Sequence, residues 1–328
     1  MKKIDKILLI SVIILSLFGL LMIYSSSSIW ATYKYNDPYK YFKSQAIFLI
    51  LGYFIIFITS KVDYHLYKKY SNHILIISII LLILVLIPGI GTIRNGSRSW
   101  FGIGSFGIQP SEFAKLGLII FTSKYLTRNK IKDIKSSVLP ILLIVLLIFG
   151  LIMLQPDFGT GVIIVITIVA LLFVSGVNMS FFIKIGLLGL IGVVILVIIA
   201  PYRLERITSF LNPWKDPLGS GFQIIQSMYA IGPGGLLGMG LGNSIQKHFY
   251  LPEPQTDFIF SIISEELGFA GILIVTTLFI TIIYRSITIS IKQEDNFAKY
   301  LSFGITFSLA FQTLLNLMVV VGLIPVTG

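Results

Sequence analysis

Asp257 closes a run in which two prolines flank a carboxylate, Leu251-Pro252-Glu253-Pro254-Gln255-Thr256-Asp257, and an apolar stretch follows at once. The prolines favour an extended backbone, so Asp257 is expected at the mouth of a membrane span. There, partial burial and a neighbouring carboxylate raise a carboxyl pKa, which suits a general base. The same position equally suits a helix N-cap, a role Asp fills readily. Ser264-Glu265-Glu266 puts two more acids about two turns into that span. Adjacent helical residues point about 100° apart, so the pair cannot face one cavity squarely. A structural polar network is the expected role, with Lys115, Arg203 or Arg206 as a partner.

Three further sites pair charge with a helix start. Pro110-Ser111 opens a helix in which Glu112 and Lys115 lie three apart and share a face. A structural ion pair and a wall of a headgroup cavity are both open readings. In Gln155-Pro156-Asp157-Phe158-Gly159-Thr160, Pro156 can take the first helical position. Asp157 in the first turn is favoured by the helix dipole, or it is a polar wall residue. Arg94, Arg98, Arg203, Arg206, Lys215 and Lys247 fall on the same side of the chain's topology as these acids. Arginine matches phosphate bidentately. A base among cations at a membrane surface suits glycosyl or phosphoryl transfer from a lipid diphosphate; the cations could instead hold anionic headgroups.

These residues stand out because the chain avoids charge. Only 12% of 328 residues are charged and 55% are hydrophobic, with a mean hydropathy of +0.93. A bilayer span needs about 20 apolar residues. Nine such stretches are expected, near 7–25, 45–60, 74–90, 112–126, 138–155, 161–177, 181–200, 258–284 and 300–325. The expected fold is therefore an all-α polytopic membrane protein of one domain, 1–328. Ionisable residues in such a chain are functional by default. With no cysteine there is no disulfide or thiolate. His65, His73 and His248 are scattered, without zinc spacing.

The net charge of +11 reflects loop lysines and arginines and implies no nucleic-acid partner. With the N-terminus inside, fifteen cations fall on inner segments and ten outside, which agrees with the positive-inside rule. The apolar run after Met1-Lys2-Lys3-Ile4-Asp5-Lys6 is too long for a signal-peptide core and reads as the first span.

Two outer loops remain. The first, roughly 89–111, carries Arg94-Asn95-Gly96-Ser97-Arg98-Ser99-Trp100, and its Asn-Gly marks a turn. The second, 201–257, is long enough to imply function. It includes a rigid turn at Asn212-Pro213-Trp214-Lys215-Asp216-Pro217 and a short amphipathic helix near 219–227, ended by Gly232-Pro233-Gly234-Gly235. Gly238-Met239-Gly240-Leu241-Gly242-Asn243 looks like a phosphate fingerprint but lacks the strand and helix that motif needs. Close backbone packing is the better reading. No internal repeat supports an inverted-repeat transporter.

On these residues the chain resembles the SEDS family of bacterial membrane proteins (FtsW, RodA, SpoVE). The stretches 94–100, 109–115, 155–160, 212–217, 250–260, 264–269 and 322–328 carry the resemblance in order. Gln246-Lys247-His248-Phe249-Tyr250 is similar to the branch of stage V sporulation protein E and FtsW. The resemblance implies a peptidoglycan glycosyltransferase polymerising lipid II at the outer face of the bacterial cytoplasmic membrane, in division or spore cortex synthesis. It implies a class B penicillin-binding protein as partner, with divisome or sporulation membrane proteins. Asp257 matches the family's loop aspartate, the catalytic base that would deprotonate the acceptor 4-hydroxyl. Glu112, Lys115, Asp157, Arg206 and Glu253 match positions lining an outer cavity, and Arg98 and Lys247 are expected to bind substrate. Arg, Lys or a divalent cation (Mg or Mn) would neutralise the leaving diphosphate. No protein metal site is expected.

Two departures are visible. Ile245 stands where relatives usually carry arginine. The chain stops at Gly328 where relatives continue with Pro-Phe-x-Ser-Tyr-Gly-Gly and a tenth span, so that helix is expected to be absent. The competing readings are a lipid II flippase using the same polar residues, and a non-catalytic scaffold that recruits a synthase.

Overall fold

The structure is a computed structural model that describes residues 4–94, 96–103, 106–128, 137–199 and 201–325. Of the residues named above, Met1, Lys2, Lys3, Asn95 and Gly328 lie outside the described residues, as does the side chain of Arg203.

Every expected apolar stretch falls on a helix. These are α1 (Lys6–Tyr35), α2 (Lys40–Lys61), α3 (Tyr64–Leu86), α4 (Pro110–Arg128), α5 (Leu139–Met153), α6 (Phe158–Val174), α7 (Met179–Ile199), α10 (Ile259–Ile291) and α11 (Asn296–Val320). Six of them, α1, α2, α3, α7, α10 and α11, are long and apolar enough to cross a membrane. Helices α5 and α6 are apolar but have only 15 and 17 residues. Helix α4 has 19 residues and carries Glu112, Lys115, Lys124 and Arg128 within them.

The ends follow local chemistry. Asp5 caps α1 by accepting from the Leu8 N–H at 3.0 Å, and it pairs with Arg285 of α10. Asp63 caps α3 through the His65 N–H at 3.0 Å.

The all-α expectation fails in the first loop. Strands β1 (Thr92–Arg94), β2 (Ser97–Ile103) and β3 (Phe106–Ile108) form a three-stranded antiparallel sheet. Arg94 pairs with Ser97 across positions 95 and 96, and Gly96 has φ +81°. That is the two-residue hairpin turn an Asn-Gly pair favours. The turn was legible in sequence, but β1 and β3 have three residues each, too short to show alternation.

The second loop also departs from expectation. Pro201–Leu211 is a helix (α8) rather than irregular chain, with Leu204, Ile207 and Leu211 along one face. Asn212 and Pro213 then stop it, and α9 (Phe222–Ile231) follows. The expected amphipathic helix is therefore present, displaced a few residues towards the glycine break at 232–234.

The chain forms two compact units. One comprises residues 58–190 and 286–312. Its core joins Leu75 and Leu82 of α3, Leu118 of α4, Ile148 of α5 and Leu171 of α6. The other comprises residues 1–57, 191–285 and 313–326. Its core joins Met22 of α1, Leu251, Phe258 and Ile262, and Val319 and Val320 of α11. Large apolar side chains elsewhere face outward, including Ile55 and Phe57 on α2 and Leu188 and Ile198 on α7. Lipid tails are as apolar as those side chains, so their exposure costs little in a bilayer.

Candidate active site

Helix α10 is interrupted at Gly268, which has φ 63° and ψ −154°. The break frees the carbonyls of Glu265 and Glu266 and the N–H groups of Phe269 and Ala270. Buried backbone groups must find partners, and the glycine-rich loop supplies them. Met239 N donates to Glu265 O and Gly240 N to Glu266 O, both at 2.9 Å. Phe269 N donates to Gly235 O at 2.9 Å, and Ala270 N to Leu236 O at 3.1 Å.

The loop approaches so closely that side chains are excluded. A Cβ on Gly238 would lie 2.2 Å from Glu266 O, and one on Gly268 2.4 Å from Gly238 N. The close-packing reading thus holds for Gly238, whereas a Cβ on Gly242 would meet open space. Gly238→Ala combines a clash with a left-handed φ of +78°, and should cost about 2–5 kcal/mol. Thermal unfolding in detergent checks this; an unchanged midpoint would contradict the packing described.

The two glutamates carry the loop's polar anchor. Glu266 is fully buried and accepts from Ser25 Oγ at 2.6 and 2.8 Å and from Lys247 Nζ at 2.8 Å. Glu265 accepts from Ser244 Oγ at 2.5 Å and from Ile245 N at 2.8 Å. Lys247 Nζ also donates to Gly242 O at 2.6 Å. The expected network is present, and Lys247, a cation not anticipated for it, pairs with Glu266. Lys247, expected as a substrate contact, is engaged inside the protein. Its side chain is only 3% exposed and is committed to Glu266, because an unpaired carboxylate buried there would be costly.

This anchor leads directly to the acidic turn. Glu253 takes a left-handed φ of 45°, and Thr256 N donates to Glu253 O at 3.1 Å. The segment is a tight turn, not the extended run the prolines suggested, because the left-handed residue reverses the chain between them. Thr256 Oγ1 reaches Glu253 Oε2 at 3.3 Å.

Asp257 follows, two residues before α10 begins at Ile259. It is not the N-cap of that helix: its backbone carbonyl accepts from Asn316 Nδ2 at 3.2 Å. Its side chain keeps contact with solvent. The protein packed around the carboxyl nevertheless raises its pKa above 3.8, and the charge of Glu253 adds to the shift.

That shift has a sign. A carboxyl with a higher pKa in the folded state binds its proton more tightly when folded. Its favourable contribution is complete below the unfolded value near 3.8 and is lost as pH rises through the folded pKa. Asp257→Asn removes the charged form, so the variant should unfold at a higher temperature than the parent at neutral pH. The two should converge below about pH 3.8. Melting curves across pH test this, and a less stable variant at neutral pH would contradict it.

Arg206 lines a cleft of about 390 Å³ in the same unit, with Glu205, Ser209, Ser220, Gln223 and Pro252. The cleft therefore abuts the turn that carries Glu253 and Asp257. Arg206 and Pro252 line this cleft, and Pro252 is the chain neighbour of Glu253; Glu253 and Asp257 themselves are not among its lining residues.

The other unit holds the remaining expected residues. Lys115 Nζ pairs with Glu112 at 2.8 Å and donates to Gln312 Oε1 at 2.9 Å. Lys115 is buried while Glu112 is half exposed, as the shared helix face requires. Asp157 caps α6 by accepting from Thr160 N at 3.1 Å. Pro156 lies just before that cap, not at the first helical position, because Asp157 occupies the cap itself. Gln109 Nε2 donates to Asp157 Oδ2 at 2.9 Å, and Ser97 Oγ donates to Gln155 O. The sheet, the start of α4 and the start of α6 are thereby tied together. Arg98 donates to the Leu86 carbonyl at 3.5 Å.

Ser25, Ser244, Gln312 and Asn316 were missed in the sequence. The available signal was polar residues inside apolar helices: the run Ser25-Ser26-Ser27-Ser28, and two amides four apart in α11. Among the described residues, no group of three or more His, Asp or Glu side chains could hold a metal. Glu253 and Asp257 offer two carboxylates. Magnesium commonly takes one or two carboxylates together with substrate phosphates.

The chain as a whole is similar to known proteins. Residues 5–328 match the family model described as cell cycle protein, FtsW/RodA/SpoVE. Stage V sporulation protein E of Bacillus subtilis (strain 168) is 50% identical over 326 residues, covering 99% of this chain and 89% of the relative. "Probable peptidoglycan glycosyltransferase FtsW" of Coxiella burnetii is 40% identical over 330 residues, covering 99% and 88%. A chain of a peptidoglycan synthase complex, whose structure concerns coordination of polymerization and crosslinking, superposes with a TM-score of 0.81. It is 30% identical and covers 100% of this chain and 90% of its own length. Rod shape determining protein RodA of Thermus thermophilus gives a TM-score of 0.71 at 26% identity, covering 98% and 86%. This chain belongs to the FtsW/RodA/SpoVE family of cell cycle proteins.

Proposed function

We propose that the protein is a peptidoglycan glycosyltransferase that polymerises lipid II at the outer face of the cytoplasmic membrane. The observation that carries this reading is Asp257: a carboxyl with a raised pKa, open to solvent, at the end of a tight turn that leads into α10. Nine spans from an inside N-terminus would put that turn outside, as the loop cations favour.

In this reading the Asp257 carboxylate removes the proton from the acceptor sugar's 4-hydroxyl. The freed oxygen bonds to the donor's anomeric carbon. The bond from that carbon to the diphosphate breaks with inversion, and the electron pair leaves on undecaprenyl diphosphate. Arg206, in the cleft beside the turn, suits the phosphate charge. A Mg or Mn ion held by Glu253 with the diphosphate would supply further neutralisation there. Roles for Glu112, Lys115, Asp157 and Arg98 in binding substrate rest on the family resemblance alone. A class B penicillin-binding protein would crosslink the product; the similar chain from a synthase complex supports that pairing.

The test incubates the purified protein with labelled lipid II, with and without the partner synthase, and separates the products by gel. Glycan polymer is the expected product. Lipid II crossing vesicle bilayers with no polymer formed would replace this reading with a flippase.

A further inference from the structure

We propose that the cleft between the start of α3 and the end of α4 binds the phosphodiester headgroup of an anionic membrane lipid. It lies in the unit that does not contain Asp257, at the end of α4 opposite Glu112, and it is independent of the glycosyl-transfer reading. The cleft measures about 350 Å³ and is lined by Asn72, Phe121, Lys124, Tyr125 and Arg128. That size falls at the lower end of small-ligand sites, roughly 300–1,000 Å³.

The chemistry of the lining selects an anion. Lys124 and Arg128 are four apart on α4 and share a face. Among the described residues, no carboxylate lines the cleft. Lys124 Nζ donates to Asn72 Oδ1 at 3.2 Å, which fixes the ammonium across the two helices and leaves two further donors. Arg128 adds a planar fork that fits two phosphate oxygens. Lys68 and Lys69 precede Asn72 by four and three residues on α3 and add positive potential at the same end.

The shape selects an amphiphile over a free phosphate. The rings of Phe121 and Tyr125 stand 6.0 Å apart, and Phe121 is two turns deeper along α4 than Arg128. Along α4 the lining runs Phe121, Lys124, Tyr125, Arg128, with an aromatic ring at the inner end and a cation at the helix end, the order of a lipid's glycerol region and headgroup. A helix C-terminus attracts cations for its own dipole, and that alone would account for Arg128. It does not account for a cleft in which Asn72 orients a second cation over an aromatic wall.

The experiment titrates the detergent-solubilised full chain with phosphatidylglycerol or phosphatidylcholine and counts bound lipid by native mass spectrometry. Soluble glycerol 3-phosphate serves as competitor. Phosphatidylglycerol should bind in preference to phosphatidylcholine, and less strongly as salt is raised. The double variant Lys124→Gln/Arg128→Gln should weaken it at least about tenfold, while Lys124→Arg/Arg128→Lys retains it. Equal binding of the two lipids by the parent protein, which needs no variant to fold, would overturn the proposal. So would undiminished phosphatidylglycerol binding by the Gln variant. Full displacement by glycerol 3-phosphate at matched concentration would overturn the lipid assignment in favour of a soluble phosphate ester.

Discussion

Asp257→Asn should lower the rate of glycan polymerisation by about 10²–10⁴-fold, the range a positioned general base supplies. Asparagine keeps the shape but cannot take a proton. The turn survives the change, because its bonds run through Thr256, the Glu253 carbonyl and Asn316 rather than through the Asp257 carboxyl. Lipid II affinity should therefore change little, and the loss should fall on turnover. Asp257→Glu keeps the base but moves it by one methylene, so an intermediate rate is expected. Initial rates at saturating labelled lipid II measure both. An Asn variant within a few-fold of the parent would remove Asp257 from the chemistry.

Lys247→Met should destabilise the protein by about 3–5 kcal/mol, the usual result of removing one partner from a buried ion pair. The lysine and Glu266 are 3% and 0% exposed. Without the ammonium, Glu266 keeps only the Ser25 hydroxyl and a long contact from Ser244 N at 3.4 Å, beside the second carboxylate of Glu265. The double change Lys247→Met/Glu266→Gln removes both charges and should recover most of the loss. Unfolding midpoints of the four proteins form the cycle. If Lys247→Met alone unfolds like the parent, the pair does not hold the loop.

The long helices were legible because apolar stretches of spanning length admit no other element in a bilayer. The sheet at 92–108 was hidden, since only its Asn-Gly turn has a local signature. Helix α8 was hidden by its charges: Arg203, Glu205 and Arg206 made it read as loop. The shared face of Glu112 and Lys115 followed from spacing alone. The partner of Glu266 did not, because Lys247 lies nineteen residues away and meets it only through the break at Gly268. Likewise the prolines around Glu253 predicted an extended strand, whereas one left-handed residue made a turn. Local rules read the elements; the loop that docks across a broken helix is a tertiary fact.

The sharpest measurement is the pH dependence of polymerisation under single-turnover conditions, compared between the parent protein and Asp257→Asn. The parent rate should rise with pH through a midpoint above 3.8, as the crowded carboxyl beside Glu253 gives up its proton, and the variant's residual rate should lack that rise. An identical acid limb in both proteins would show that another group accepts the proton, and Asp257 would not be the base.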